Sequence, residues 1–146
     1  MRANATEFCK GNALCQYKAK GLLKEVGLPT GLLPLQDMEE FGYVKDTGFV
    51  WFKSKKNTDH KFEKIGKLAQ YGSEVTAYVE QKKIKKMTGV KAKELFLWVT
   101  ISEISVDDPP TGKIYFKSPL GIGKTFPVSA FENPEDEKEE KEEQRK

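Results

Sequence analysis

Past residue 40, apolar side chains along this chain recur mainly at every second position; before it they recur at near-helical spacing. Over residues 5–26, Phe8, Leu14, Tyr17, Leu22, Leu23 and Val26 fall close to one helical stripe. Asn4 with Glu7 reads as a capping-box start, and Gly27 followed by Pro29 reads as the stop. The pattern predicts an amphipathic helix over 5–26, weakened by Gly11 and Gly21 and so in need of a surface to pack on. "GLPTGLLP" (27–34) then reads as a rigid connection.

The period-two region divides into short segments at 40–45, 49–53, 74–80, 82–87, 94–105, 113–117 and 125–131. Asp46-Thr47-Gly48 predicts a tight hairpin between the first two. "QKK" at 81–83 joins the next pair, and "VDDPPTG" at 106–112 leads into 113–117. Residues 54–73 are ambiguous between strand and short helix. Within 74–80, Val75, Ala77 and Val79 share a face. Within 94–105, Leu95, Leu97, Val99 and Ile101 share one face while Phe96 and Trp98 share the other, which predicts a strand covered on both sides. Pro127 lacks a ladder donor and places the last strand at an edge. The fold class is thus α+β, mainly β: an N-terminal amphipathic helix packed on a partly open antiparallel β-barrel. Residues 1–39 hold the helix and its connection, 40–131 the barrel, and 132–146 a charged tail with no face to bury, expected to be disordered.

The 146 residues suit one domain. No run approaches the length of a membrane span, and the polar N-terminus lacks an apolar signal core, so a cytoplasmic protein is expected. The match of Asn4-Ala5-Thr6 to the N-glycosylation pattern therefore carries no weight. The net charge of +3 conceals a split: residues 132–146 hold eight acidic and four basic side chains, whereas 53–93 hold twelve Lys against four acids. A basic patch is expected at Lys82, Lys83, Lys85 and Lys86, available to anionic lipid or acidic partners, with solubilisation of edge strands as its plainest role. Aromatics do not interleave with these lysines and arginine is scarce, which argues against specific nucleic-acid readout.

Candidate chemistry changes this picture little. "SPLGIGKTF" (118–126) ends like a phosphate-binding loop, but the required first glycine is Ser118 and a strand, not a helix, comes after it. It reads as a glycine-bearing hairpin loop. His60 is the sole histidine; a hydrolase would have to pair it with Ser54, Ser73 or Ser102, and no nucleophile-elbow sequence exists. Asp107-Asp108 before two prolines reads as turn chemistry. Cys9 and Cys15 lie six apart, which on one helix turns them roughly 120° away from each other, and they read as reduced, partly buried cysteines. No metal site, cofactor or catalytic residue is expected.

"GLPTGLLP", "GYVKDTGFVWFK", "EVTAYVE", "ELFLWVTISEISVDDPPTGKIYFK" and "FPVSAFE" occur here in an order that resembles the plant family known as domain of unknown function 538, over about residues 6–132. The resemblance implies a helix on a partly open, mostly antiparallel barrel and a plant source. The family has been likened to lipid-binding proteins of the bactericidal/permeability-increasing type and associated with stress responses, chlorophyll binding and ester hydrolysis. It transfers no site residues. Three functions are expected in turn. The first is a binding module for a lipophilic ligand, lipid or chlorophyll-like, held among some of Phe49, Trp51, Leu95, Leu97, Val99, Ile101, Ile114 and Phe116. The second is an ester hydrolase on such a ligand, and the third a protein-interaction module using the basic edge and acidic tail. The barrel interior is either a cavity or a filled core, the latter being commoner in small barrels.

Overall fold

The structure, a computed structural model, describes residues 6–132. One helix, α1 (Asn12–Glu25), lies among ten strands: β1 (Glu7–Lys10), β2 (Met38–Val44), β3 (Phe49–Ser54), β4 (Thr58–Phe62), β5 (Lys67–Glu80), β6 (Lys83–Glu94), β7 (Leu97–Thr100), β8 (Glu103–Val106), β9 (Lys113–Lys117) and β10 (Gly123–Pro127). A 3-10 turn, Val128–Phe131, ends the described chain. All pairings are antiparallel, in the order β1-β2-β3-β5-β6-β8-β9-β10, with β4 added to β5 and β7 to β6. The sheet does not close; β1 and β10, the latter with Pro127, are the two ends of this order.

The long β5–β6 ribbon organises the rest. The second half of β5 pairs with β3 and its first half with β4. The first half of β6 pairs with β8 and its second half with β7. The register shifts between Tyr71 and Thr76. Gly89 sits there at φ 84°, and a Cβ on it would lie 2.4 Å from the Glu74 carbonyl oxygen, so the crossing needs glycine. The ribbon thereby serves two leaves.

On the first leaf, Val50 and Phe52 of β3 and Val75, Ala77 and Val79 of β5 turn inward beneath α1. The buried helix positions are Cys15, Ala19, Leu22 and Leu23, whereas Leu14 and Tyr17 are exposed. Leftover space between helix and sheet is only about 10 Å³. This half is filled, as interiors usually are.

The N-terminus departs from the predicted 5–26 helix. Residues 7–10 form β1 on β2, and Gly11, at φ 95°, breaks the chain before α1 begins at Asn12. The Asn12 side-chain oxygen accepts from the backbone N–H of Met38 at 3.0 Å, fixing helix start to sheet. The break overturns the placement of both cysteines on one helix, turned away from each other, while their reading as reduced, buried thiols holds. Cys9 is on a strand and Cys15 on the helix, both buried and reduced, with sulfurs 3.6 Å apart. Burial and the adjacent Cys15 thiol raise the pKa of Cys9 above the usual thiol value. The proposed capping box at Asn4 and the 133–146 part of the acidic tail lie outside the described residues.

The segment read as one strand over 94–105 is three pieces: the end of β6, then β7 and β8, with a two-residue turn at Leu95-Phe96. Among the described residues no helix is long and apolar enough to cross a membrane.

Candidate functional site: a half-open apolar cavity

The second leaf, built from β4, the first half of β5, the second half of β6, and β7, meets no α-helix among the described residues. It faces β8, β9, β10 and the closing 3-10 turn across a half-open cavity of about 630 Å³, within the range of small-molecule sites. Aliphatic and aromatic walls come from Phe62, Ala69, Tyr71, Val90, Ala92, Ile101, Ile104 and Phe116. Leu33 borders both this cavity and the filled half, so it forms part of the partition.

Two devices hold the space open. The first is an aromatic knot around Phe131, whose ring centroid lies 4.7 Å from Phe62, 5.1 Å from Phe116 and 6.3 Å from Phe126. It ties β4 to β9 and β10 where no backbone pairing does. Lys64 reinforces it, its Nζ donating to the Ser129 carbonyl at 3.0 Å. The second is the Tyr71 hydroxyl, which donates to the Leu32 carbonyl at 3.0 Å and pins the 27–35 connection as a wall. Tyr71 is buried, which pushes its phenol pKa up and keeps it a neutral donor.

Charge is confined to four of the lining residues, Lys67, Lys91, Glu94 and Lys124. Glu94 accepts from Lys67 at 3.0 Å and also from Lys124, so an ion triad links β5, β6 and β10. The Lys124 and Lys67 ammonium groups hold the Glu94 carboxyl below the usual carboxylate range, and Glu94 in turn raises Lys124. Two further polar side chains lie in the wall, Thr100 and Ser118. Ser118 is buried, its N–H donates to the Ile122 carbonyl and its own carbonyl accepts from Gly121, yet its hydroxyl finds no partner among the described residues. A buried hydroxyl without a partner is costly, and this one has no surface open to the cavity.

Of the residues expected to line a ligand site, Leu97, Val99, Ile101 and Phe116 do so. Phe49, Trp51, Leu95 and Ile114 do not. Ile114 is fully buried in the core. Leu95 is in the β6–β7 turn, 89% exposed. Phe49 and Trp51 lie on the opposite sheet face from Val50 and Phe52 because side chains alternate along β3. There Trp51 is covered by Phe8 and Phe49, and its Nε1–H donates to Glu40 at 2.6 Å. Gly42 leaves room for the indole: a Cβ on it would come within 2.1 Å of the ring.

The basic patch is at another hairpin. Lys82 occupies the β5–β6 turn at φ 66°, Lys85 pairs with Glu80 at 2.9 Å, and Lys86 stands 5.6 Å over the Tyr78 ring. None of Lys82, Lys83, Lys85 and Lys86 borders the large cavity. His60 contacts the Phe62 ring edge-on at 4.6 Å, and burial lowers its pKa below the usual histidine value. No hydrogen bond joins it to Ser54, Ser73 or Ser102 among the described residues; the Ser102 hydroxyl donates to the Lys117 carbonyl. Asp107 accepts from Thr111 inside its own turn, as turn chemistry predicts, and from Tyr115 of β9. "SPLGIGKTF" is the β9–β10 hairpin, with Gly121 at φ 83°.

Sequence reasoning missed Phe62, Ala69, Tyr71, Val90 and Ala92, which lie in or beside stretches too polar to show a clean alternation. A family model described as "Protein of unknown function, DUF538" matches residues 19–132. No curated protein and no solved structure matches the chain.

Proposed function

Since the chain belongs to the DUF538 family, whose description assigns no activity, we propose from the site alone that it is a binding module for one lipophilic molecule bearing a polar group, a lipid or chlorophyll-like compound. The observation that carries this reading is the contrast between halves: about 10 Å³ of space under the helix against about 630 Å³ opposite it. Apolar space of that size is expensive to leave unfilled in a small protein, and it is held open by specific contacts, the Phe131 knot and the Tyr71–Leu32 bond. Walls of this kind bind the apolar body, and the lysines in the lining, Lys67, Lys91 and Lys124, offer donors to its polar group. The hydrolase alternative lacks an assembled pair, since His60 stands apart from hydrogen bonding with any of its three candidate serines. The interaction-module alternative leans on a lysine cluster that is partly neutralised by Glu80.

The test uses Trp98, which borders the cavity, and Trp51, which does not. Titration with a long-chain fatty acid or a chlorophyll derivative should change indole fluorescence saturably. The change should be lost in Ala92→Phe, which puts a ring into the space. No saturable change, or an equal one in Ala92→Phe, would remove the reading.

A further inference from the structure

Two hairpin tips stand at the cavity with apolar side chains in open solvent. One is the Leu95-Phe96 turn between β6 and β7, the other the 119–122 loop between β9 and β10. Leu95 is 89% exposed, Phe96 96%, Leu120 87% and Ile122 69%. Turns favour Gly, Asn and Asp, and Leu95 sits at φ 53°, where a branched aliphatic residue is out of place. Neither the local backbone nor the core accounts for these four side chains. Both tips adjoin the same mouth, because Leu97, Trp98, Leu120 and Ile122 are in the cavity wall.

Positive charge is set one step back from each tip. Lys91 and Lys93 lead along β6 to the first; Lys117 and Lys124 flank the second. Lys124 is paired with Glu94 and Lys117 with Glu103 at 3.8 Å, whereas Lys91 and Lys93 have no ion pair among the described residues. Lys93 Nζ stands 5.9 Å from the Trp98 ring centroid. Apolar apex, then indole, then ammonium is the order in which a bilayer presents acyl chains, interface and phosphates.

We propose that this mouth docks on an anionic lipid bilayer, with the two tips inserted at the headgroup–acyl boundary and the lysines on the phosphates. A protein partner would need a fixed socket for each of two separate tips, whereas a fluid surface takes both at once. The docking surface stands on its own residues; it leans on the cavity reading only in that a docked mouth would open toward the membrane.

The experiment is co-sedimentation of the full chain with phosphatidylcholine vesicles, with and without phosphatidylserine, at low and raised salt. Binding is expected on the phosphatidylserine vesicles, weakened several-fold by salt. Phe96→Asp/Leu120→Asp should lower the bound-to-free ratio by at least roughly tenfold. Both side chains are in solvent, so an unchanged circular dichroism spectrum and melting temperature are expected of the variant and confirm that it folds. Ala92→Phe should sediment with vesicles as the wild type does, which separates failure of docking from failure of the cavity reading. A wild type that stays in the supernatant, or a double variant that binds equally, overturns the proposal. A wild-type dimer that ignores vesicles and is dissociated by the double substitution would assign the tips to a second copy of the chain and overturn it too.

Discussion

Ser118→Ala should make the protein more stable and leave its ligand binding unchanged. Ser118 is 8% exposed, and both its backbone groups are bonded within the β9–β10 hairpin. Only Oγ lacks a partner. Leaving such a hydroxyl unmet costs about 1–3 kcal/mol, and exchanging it for hydrogen removes little packing. The variant should therefore gain about 1 kcal/mol, which in a chain of this size raises the melting temperature by about 2–4 °C. Ser102→Ala is the contrast: its hydroxyl donates to the Lys117 carbonyl at 3.3 Å, and its loss should lower stability by up to about 1 kcal/mol. In the same Ser118→Ala protein, affinity for a cavity ligand should be unchanged, because Oγ has no surface open to the cavity. Thermal unfolding by circular dichroism and titration calorimetry read the two effects. A Ser118→Ala protein that loses about 1 kcal/mol would refute the reasoning, because the hydroxyl would then already be satisfied in the free protein.

Phe131→Ala should cost about 3–5 kcal/mol, since it removes a buried ring that touches three others and closes the open sheet; a loss under about 1 kcal/mol in urea titrations would show that the knot does not hold the leaves together. Gly42→Ala should cost about 1–3 kcal/mol by driving a Cβ into the Trp51 ring, whereas Gly21→Ala, in α1 with nothing within 4 Å, should gain about 0.5–1 kcal/mol; equal midpoints for the two would contradict the packing. Burial lowers the His60 pKa, so the folded state favours the neutral ring. The associated stability is complete above the unfolded value of about 6.5 and is lost as pH falls through the lower folded value. His60→Gln should flatten the urea-midpoint profile in that acidic window, and a wild-type-like slope in the variant would locate the effect elsewhere.

The turns are readable from sequence because their chemistry is local. Gly48, Gly112 and Gly121 adopt positive φ in the segments whose composition announces hairpins. The departure at the N-terminus has a non-local origin. Residues 7–10 look helical beside the stretch that continues into α1, yet pairing with β2 outweighs that preference, and Gly11 supplies the break. The parity of β3 is visible in the sequence, but only packing under α1 decides that Val50 and Phe52, not Phe49 and Trp51, face inward. Leu95 and Phe96 mimic strand positions because apolar runs usually mean burial; here they form a turn in solvent. The cavity is half legible, through Leu97, Val99, Ile101 and Phe116. Its other walls come from Phe62 to Tyr71, where polar residues mask the alternation, and from Phe131, whose role depends on chain closure.

The central claim is that one half of this sheet is a solid core and the other half receives a ligand. Methyl-resolved NMR of the full chain during titration with a long-chain fatty acid separates the two. Signals from Val90, Val99, Ile101 and Ile104, in the cavity wall, should shift and saturate together, while Val50, Val75 and Val79, under the helix, stay in place. Shifts that are absent, or that fall equally on both sets, would contradict the account.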